Sequence, residues 1–261
     1  MRAKRSLGQN FLRDESVIRR IVDSLDLGEN ETVVEIGPGR GAITEKLVET
    51  AGNVIAIEID RELVPILRTQ FHFQSSFKVI EANILETSFA SFTKGLERAN
   101  TKIVGNLPYY ISTAIVQKLA EERSLFSKAV LMLQREVVTR ITAAPGNSER
   151  GFLTVITESA FDVKHLFDVD PTAFTPKPKV WSSVVELTPK PASFSDRVEF
   201  RKLVISAFAQ KRKTILNNLK AVLADAAALL VASGIDPKRR AETLTLDEWL
   251  SLFEIIRRQQ N

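Results

Sequence analysis

The sequence predicts a doubly wound α/β domain with a mostly parallel sheet and an antiparallel edge, followed by a small all-helical domain. Three observations predict it. Near-continuous apolar strand candidates alternate with stretches of helical spacing, a glycine-rich turn follows the first of these strands, and a proline-rich stretch near residue 190 precedes an alanine-rich tail. Strands covered on both faces read as unbroken apolar runs, and their alternation with helices is the signature of a parallel sheet.

The elements follow in order. Val17, Ile18, Ile21, Val22 and Leu25 recur at helical spacing, so a helix is expected over residues 16–27, ending at Gly28. Thr32-Val-Val-Glu-Ile36 reads as a strand, broken by Gly37-Pro-Gly-Arg-Gly41, after which Ile43, Leu47 and Val48 resume helical spacing. Residues 54–59 read as a second buried strand, 63–71 as a helix and 77–80 as a third strand. Residues 102–105, 129–133, 152–161 and 182–187 supply further strand candidates, and the late ones lack long helices between them, which predicts the antiparallel edge. Pro171, Pro176, Pro178, Pro189 and Pro191 crowd together, so the boundary is placed there: domain 1–190, then domain 191–261. In the second, residues 198–230 are expected to be helical throughout and residues 246–256 to form a last amphipathic helix.

Composition narrows the chemistry. The chain has 261 residues, 44% hydrophobic and 26% charged, with a formal net charge of +4. With no Cys and only two His, disulfide scaffolds, thiolate zinc sites, iron–sulfur clusters and cysteine nucleophiles are excluded, and no metal is expected. No run reaches the roughly 18 apolar residues of a membrane span, and the basic N-terminus has no apolar h-region behind it, so a soluble, cytoplasmic protein without membrane association is expected.

Gly37, Gly39 and Gly41 lie where a strand must turn sharply and let a ligand approach backbone, at the positively polarised start of the next helix. Glu58 closes the second strand about twenty residues on, where an acid in a nucleotide-binding fold accepts hydrogen bonds from ribose hydroxyls. The spacing is G-x-G-x-G rather than G-x-G-x-x-G, which disfavours a dinucleotide and suits S-adenosylmethionine. Asn83, just past the third strand, is a candidate partner for an adenine ring; on the sequence alone it is equally an Asn capping a turn.

Asn106-Leu107-Pro108-Tyr109 follows the fourth strand, at the carboxyl edge where ligands of such folds bind. The exocyclic amine of adenine is a poor nucleophile, because its lone pair is delocalised into the ring. Asn106 Oδ1 and a neighbouring backbone carbonyl are acceptors that can take hydrogen bonds from both amine hydrogens, so direct displacement needs positioning and electrostatics rather than a metal or a strong base. Tyr109 offers a face on which a flipped base can stack, and Pro108 stiffens the loop.

At these residues the chain resembles the ribosomal RNA adenine dimethyltransferases of the KsgA type, with a Rossmann-like methyltransferase sheet. Ser6-Leu-Gly-Gln-Asn10-Phe11-Leu12, Gln134-Arg-Glu-Val-Val138, Phe174-Thr-Pro-Lys-Pro-Lys179-Val180 and the run from Phe208 to Leu219 look like family blocks in family order. The resemblance implies that Asn10, Leu12, Gly37, Gly39, Gly41, Glu58, Asn83 and Asn106 line a site for S-adenosylmethionine. It implies a catalytic loop from Asn106 to Tyr109, and Phe174 as a second aromatic wall for the target base, with a plain core aromatic as the rival reading. Two departures stand out. Asn83 occupies a position that is usually Asp, which predicts somewhat weaker cofactor binding; Trp181 stands where the family generally has a small acidic residue, leaving extra packing or an RNA-facing aromatic as its readings.

The resemblance further implies the substrate: two adjacent adenines in a hairpin loop near the end of small-subunit ribosomal RNA, presented by the small subunit or its precursor. Loop bases are accessible without melting a helix. Enzymes acting on large-subunit RNA share the glycine turn, but Lys211-Arg212-Lys213 with Asn217-Asn218 favours the small-subunit group. Two further rivals are a non-catalytic assembly factor and a DNA adenine methyltransferase; the intact Asn-Leu-Pro-Tyr argues against both. A monomer is the default. Charge is distributed unevenly: residues 1–20 hold six basic and two acidic side chains, residues 195–261 twelve and eight, and the intervening body 18 and 22. Arg2, Lys4, Arg5, Lys179, Lys211, Arg212 and Lys213 are the candidate RNA contacts.

Overall fold

The computed structural model describes residues 8–28, 30–191 and 198–260. After a two-residue strand β1 (Phe11–Leu12) comes helix α1 (Glu15–Leu25), opened by Asp14, whose carboxylate accepts from the Ser16 and Val17 N–H groups. The helix closes at Asp26, at φ 53°, rather than running to Gly28, because Asp tolerates the left-handed cap. Then follow β2 (Thr32–Ile36), α2 (Ala42–Thr50), β3 (Asn53–Glu58), α3 (Leu63–Gln70), β4 (Phe77–Glu81), α4 (Phe89–Phe92), β5 (Thr101–Asn106), α5 (Ser112–Glu121), β6 (Lys128–Gln134) and α6 (Arg135–Ile141). The remainder is α7 (Phe152–Ala160), β7 (Phe161–Val169), β8 (Phe174–Thr175), β9 (Ser182–Pro189), α8 (Val198–Ala207), α9 (Ile215–Leu219), α10 (Ala226–Ala232) and α11 (Leu246–Gln260).

The main sheet has seven strands in the order β4-β3-β2-β5-β6-β9-β7. β4, β3, β2, β5 and β6 are mutually parallel, and β9 adds antiparallel to β6, with Gln134 opposite Ser182. The predicted parallel sheet with an antiparallel edge is therefore present. All five residues of β2 are buried, as a strand covered on both faces requires. Val33 and Val54 pack with Val17, Ile21 and Leu25 of α1 and Leu47 of α2, while Ala56 and Val79 pack beneath Val64, Leu67 and Phe71. Strand order reverses between β2 and β5, and ligands of open α/β sheets bind outside the carboxyl ends of the strands at such a switch point.

Two sequence expectations are corrected. Residues 152–161 form no strand: Phe152–Ala160 is helix α7, and the strand is the following β7. Seven of the nine α7 residues are buried, so its apolar run lacks the polar face that marks a helix in sequence. Residues 198–230 are not one helix either. Asn218, buried, donates through Nδ2 to the Ala207 carbonyl at 2.6 Å and the Gln210 carbonyl at 3.2 Å, satisfying the end of α8 and turning the chain, and Thr214 caps α9.

The chain divides into two compact units. One takes the residues up to Val138 with Asp162–Pro189; the other takes Thr139–Phe161 and the residues from Lys190 onward. The sequence placed residues 139–161 with the sheet. Within the second unit, buried Arg150 holds this segment to the C-terminal residues, donating to the Leu244 and Ala143 carbonyls at 3.2 and 3.0 Å and pairing with Glu158 at 2.6 Å. Among the described residues no helix is long and apolar enough to cross a membrane, and no cluster of side chains is arranged to hold a metal ion.

Candidate active site

A cavity of about 240 Å³ opens at the switch point, walled by the segment before and in β1, the glycine turn after β2, the ends of β3 and β4, and the loop after β5. Gly37, Gly39 and Gly41 all have positive φ, at 68°, 59° and 84°, a backbone region that L side chains rarely adopt. Space is short as well at two of them: a Cβ on Gly41 would stand 2.9 Å from the Phe71 ring, and one on Gly39 would stand 3.2 Å from Phe11. The turn delivers the chain into the N-terminus of α2, where backbone donors favour an anion.

Glu58, 5% exposed, faces the turn from the end of β3. Its Oε2 accepts from the Gly39 N–H at 3.1 Å and its Oε1 from the Asp60 N–H at 2.8 Å. Burial raises its pKa, and these N–H donors oppose that rise by favouring the carboxylate. Buried Asp60 in turn accepts from Gln9 Nε2 at 2.9 Å, tying the segment before β1 to the end of β3. Beneath the turn, Glu35 is wholly enclosed; burial pushes its pKa up to about 7, against the hydrogen bond it accepts from Thr44 Oγ1 at 2.6 Å.

The loop after β5 supplies the opposite wall. Asn106 Nδ2 donates to the main-chain carbonyl of Asn10 at 3.1 Å, which leaves Oδ1 as the acceptor of that side chain. Leu107 is buried, and its N–H donates to the Met132 carbonyl, anchoring the loop to β6. Gly105 precedes it, and a Cβ there would meet Leu107 Cδ2 at 2.8 Å and the Ile36 carbonyl oxygen at 3.0 Å. Pro108 and Tyr109 line the cavity, and the Tyr109 hydroxyl shares a 2.9 Å hydrogen bond with Ser182 Oγ. Burial raises the Tyr109 pKa, so the phenol keeps its proton at neutral pH.

The fold thus brings Asn10, Leu12, Gly37, Gly39, Glu58, Asn83 and Asn106–Tyr109 to one cavity, with Gly41 capping the helix beside it. Asn83 does what the turn-capping reading expects: its Oδ1 accepts from the Leu85 N–H at 3.0 Å, and its Nδ2 donates to Glu86 at 2.7 Å. Phe174 does not reach the cavity. It is 4% exposed, lies opposite Leu12 in the β1–β8 pair and packs with Val169 and Ala173, so in this structure it is a core aromatic. Lys179, Lys211, Arg212 and Lys213 are exposed, whereas Arg2, Lys4 and Arg5 lie outside the described residues. Sequence reasoning missed Gln9, Glu35, Asp60 and Ser182. Glu35 and Asp60 stood beside the glycine turn and Glu58 as acids in apolar runs; Ser182 carried no signal, being brought to Tyr109 only by the antiparallel edge strand.

A model of the ribosomal RNA adenine dimethylase family matches residues 1–258. The chain belongs to that family. It is 42% identical to a ribosomal RNA small subunit methyltransferase A from Hahella chejuensis, over 97% of this chain and 93% of that one. A protein of the same name from Geobacter sulfurreducens is also 42% identical, over 97% and 94%. Among solved structures, a dimethyladenosine transferase from Plasmodium falciparum superposes with a TM-score of 0.80 at 25% identity, covering 96% of this chain and 98% of that one. The 23S rRNA methyltransferase ErmE superposes at 0.71 with 27% identity, covering 95% and 100%. The family resemblance drawn from the Asn-Leu-Pro-Tyr and glycine motifs is thereby established over residues 1–258.

Proposed function

We propose that this ribosomal RNA adenine dimethylase transfers methyl groups from S-adenosylmethionine to the exocyclic amines of two adjacent adenines in the hairpin loop near the end of small-subunit ribosomal RNA. The observation that carries the reading is Asn106, held through Nδ2 by Asn10 with its Oδ1 left as acceptor on a cavity whose far wall is the glycine turn and Glu58.

The residues present fit the methyl donor. Glu58 offers carboxylate oxygens to ribose hydroxyls, the α2 N-terminus and the glycine turn suit a carboxylate, and Ile59 and Ile84 give apolar walls suited to a purine. Asn83 lies on the same cavity, and its Oδ1 keeps a second lone pair for an adenine amine. Bound there, S-adenosylmethionine supplies a methyl group on a positively charged sulfur. Asn106 Oδ1 accepts one hydrogen bond from the target amine and turns its lone pair toward the donor; a backbone carbonyl of the loop accepts the other. Tyr109 supplies a face for the extruded base, and its bond to Ser182 fixes the ring. The loop works by position, since the Leu107 N–H ties it to the Met132 carbonyl of β6 and Pro108 stiffens it.

The relatives named small subunit methyltransferase A support the small-subunit substrate over the large-subunit one. Incubation with labelled S-adenosylmethionine and undermethylated small subunits, large subunits or duplex DNA tests it: label is expected in small subunits alone. Label confined to large subunits or DNA overturns the substrate, and no label anywhere makes the chain an assembly factor.

A further inference from the structure

Trp181 has no role in the chemistry above, and its position gives it one. It immediately precedes Ser182, which pairs with Gln134 at the end of β6 and hydrogen-bonds the Tyr109 hydroxyl. Asn106 pairs with Met132 on the opposite flank of β6, near the same carboxyl end, so the catalytic loop and Trp181 sit at one carboxyl edge of the sheet, two strands apart. Two inter-strand steps are about 10 Å, the length of about three stacked nucleotides at roughly 3.4 Å each. While Ser182 is wholly buried, Trp181 is 41% exposed and follows exposed Lys179 and Val180. With Val180, 43% exposed beside it, the indole gives this edge a small apolar surface. Its backbone is fixed by the Arg135 N–H, which donates to the Trp181 carbonyl at 3.0 Å, and the Arg135 guanidinium stands 5.8 Å from the ring centroid.

A flat exposed ring, a cation beside it and a lysine two residues away form a platform for a single-stranded nucleotide: the base stacks on the indole, and the charges meet the phosphates. We propose that Trp181 stacks an unpaired nucleotide flanking the target adenines, and so positions the RNA strand along the carboxyl edge that carries the Asn106 loop. This rests on the RNA-methylating reading and adds to it a substrate-positioning residue separate from the stacking face of Tyr109.

The test uses the full chain and undermethylated small subunits, comparing wild type with Trp181→Ala and Trp181→Phe. Loss of one base stack is expected to raise KM for subunits about tenfold, with kcat at saturation and the dissociation constant of S-adenosylmethionine unchanged; Trp181→Phe restores most of the loss. A merely structural Trp181 instead lowers thermal stability and kcat together without this split, and that result, or an unchanged KM in Trp181→Ala, overturns the proposal. Fluorescence gives a second readout, because the chain has only two Trp and Trp249 is fully buried. In a Trp249→Phe background a short single-stranded oligoadenylate is expected to quench Trp181; absence of quenching in a variant that still methylates subunits also overturns it. If wild type labels no small subunits, the underlying reading has failed instead, and the quenching result alone then decides whether the platform takes RNA.

Discussion

The side-chain amide of Asn106 donates to the main-chain carbonyl of Asn10 at 3.1 Å, across 96 positions of sequence. This single bond decides which end of the amide meets the substrate. An amide carries one donor end and one acceptor end; with the donor end committed to β1's approach, the acceptor end is what remains for an amine.

Asn106→Ala is therefore expected to lower kcat by about 10²-fold or more while leaving subunit binding within a few-fold of wild type. Single-turnover methylation and subunit co-sedimentation measure the two separately. Equal loss of both would refute the assigned role, since it would mean that the side chain organises the whole edge rather than the amine.

Gly105 sets the distance between that loop and the glycine turn. A Cβ at this position meets the Ile36 backbone at 3.0 Å as well as Leu107 at 2.8 Å, and backbone cannot rotate away as a side-chain tip can. Gly105→Ala is expected to cost about 1–3 kcal/mol of stability by overpacking and to weaken S-adenosylmethionine binding, because β2 and β5 part at the switch point. Denaturant unfolding and calorimetric titration check the two effects; an unchanged midpoint contradicts the close packing.

Glu35 ties stability to pH. Its folded pKa is about 7, above the 4.5 of a free Glu, so the folded state binds the proton more tightly than the unfolded one. The stabilisation is fully present below pH 4.5 and is lost as pH rises to about 7, where the buried side chain must ionise. The upper bound is about 3 kcal/mol. Glu35→Gln removes the titration and retains a hydrogen-bonding partner for Thr44. Melting temperatures from pH 5 to 8 are expected to fall less steeply with rising pH in the variant than in wild type, and parallel curves would remove Glu35 as the cause.

The chemistry was largely legible in sequence because it is local: the glycine turn, Glu58 and the Asn106–Tyr109 loop each sit at the end of one strand, and parallel strands bring their carboxyl ends together whatever lies between. What depends on distant packing was not. Phe174 reads as an aromatic in a functional block until its pairing with Leu12 sends it into the core. Ser182 becomes Tyr109's partner only through antiparallel pairing of β9 with β6. Helix α7 resembles a strand because burial on nearly all sides erases the 3.6-residue period. Asn218, whose family block pointed toward RNA, spends its amide on the end of α8.

That use of Asn218 sharpens the prediction for the residues before it. By ending α8 and turning the chain, it makes Lys211, Arg212 and Lys213 an exposed turn rather than one stripe of a long helix, and three cations on a short turn can engage neighbouring phosphates together. Each phosphate neutralised on a single strand contributes roughly 0.7 to the slope of log K against log salt. Replacing all three by Ala is therefore expected to weaken small-subunit binding steeply at low salt and little at high salt, flattening the slope by about 2. The rate at saturating subunits should hold, since none of the three lines the cavity. Filter binding over a salt series measures the slope; a uniform loss with no change in slope would mean that the turn acts by shape and not by charge.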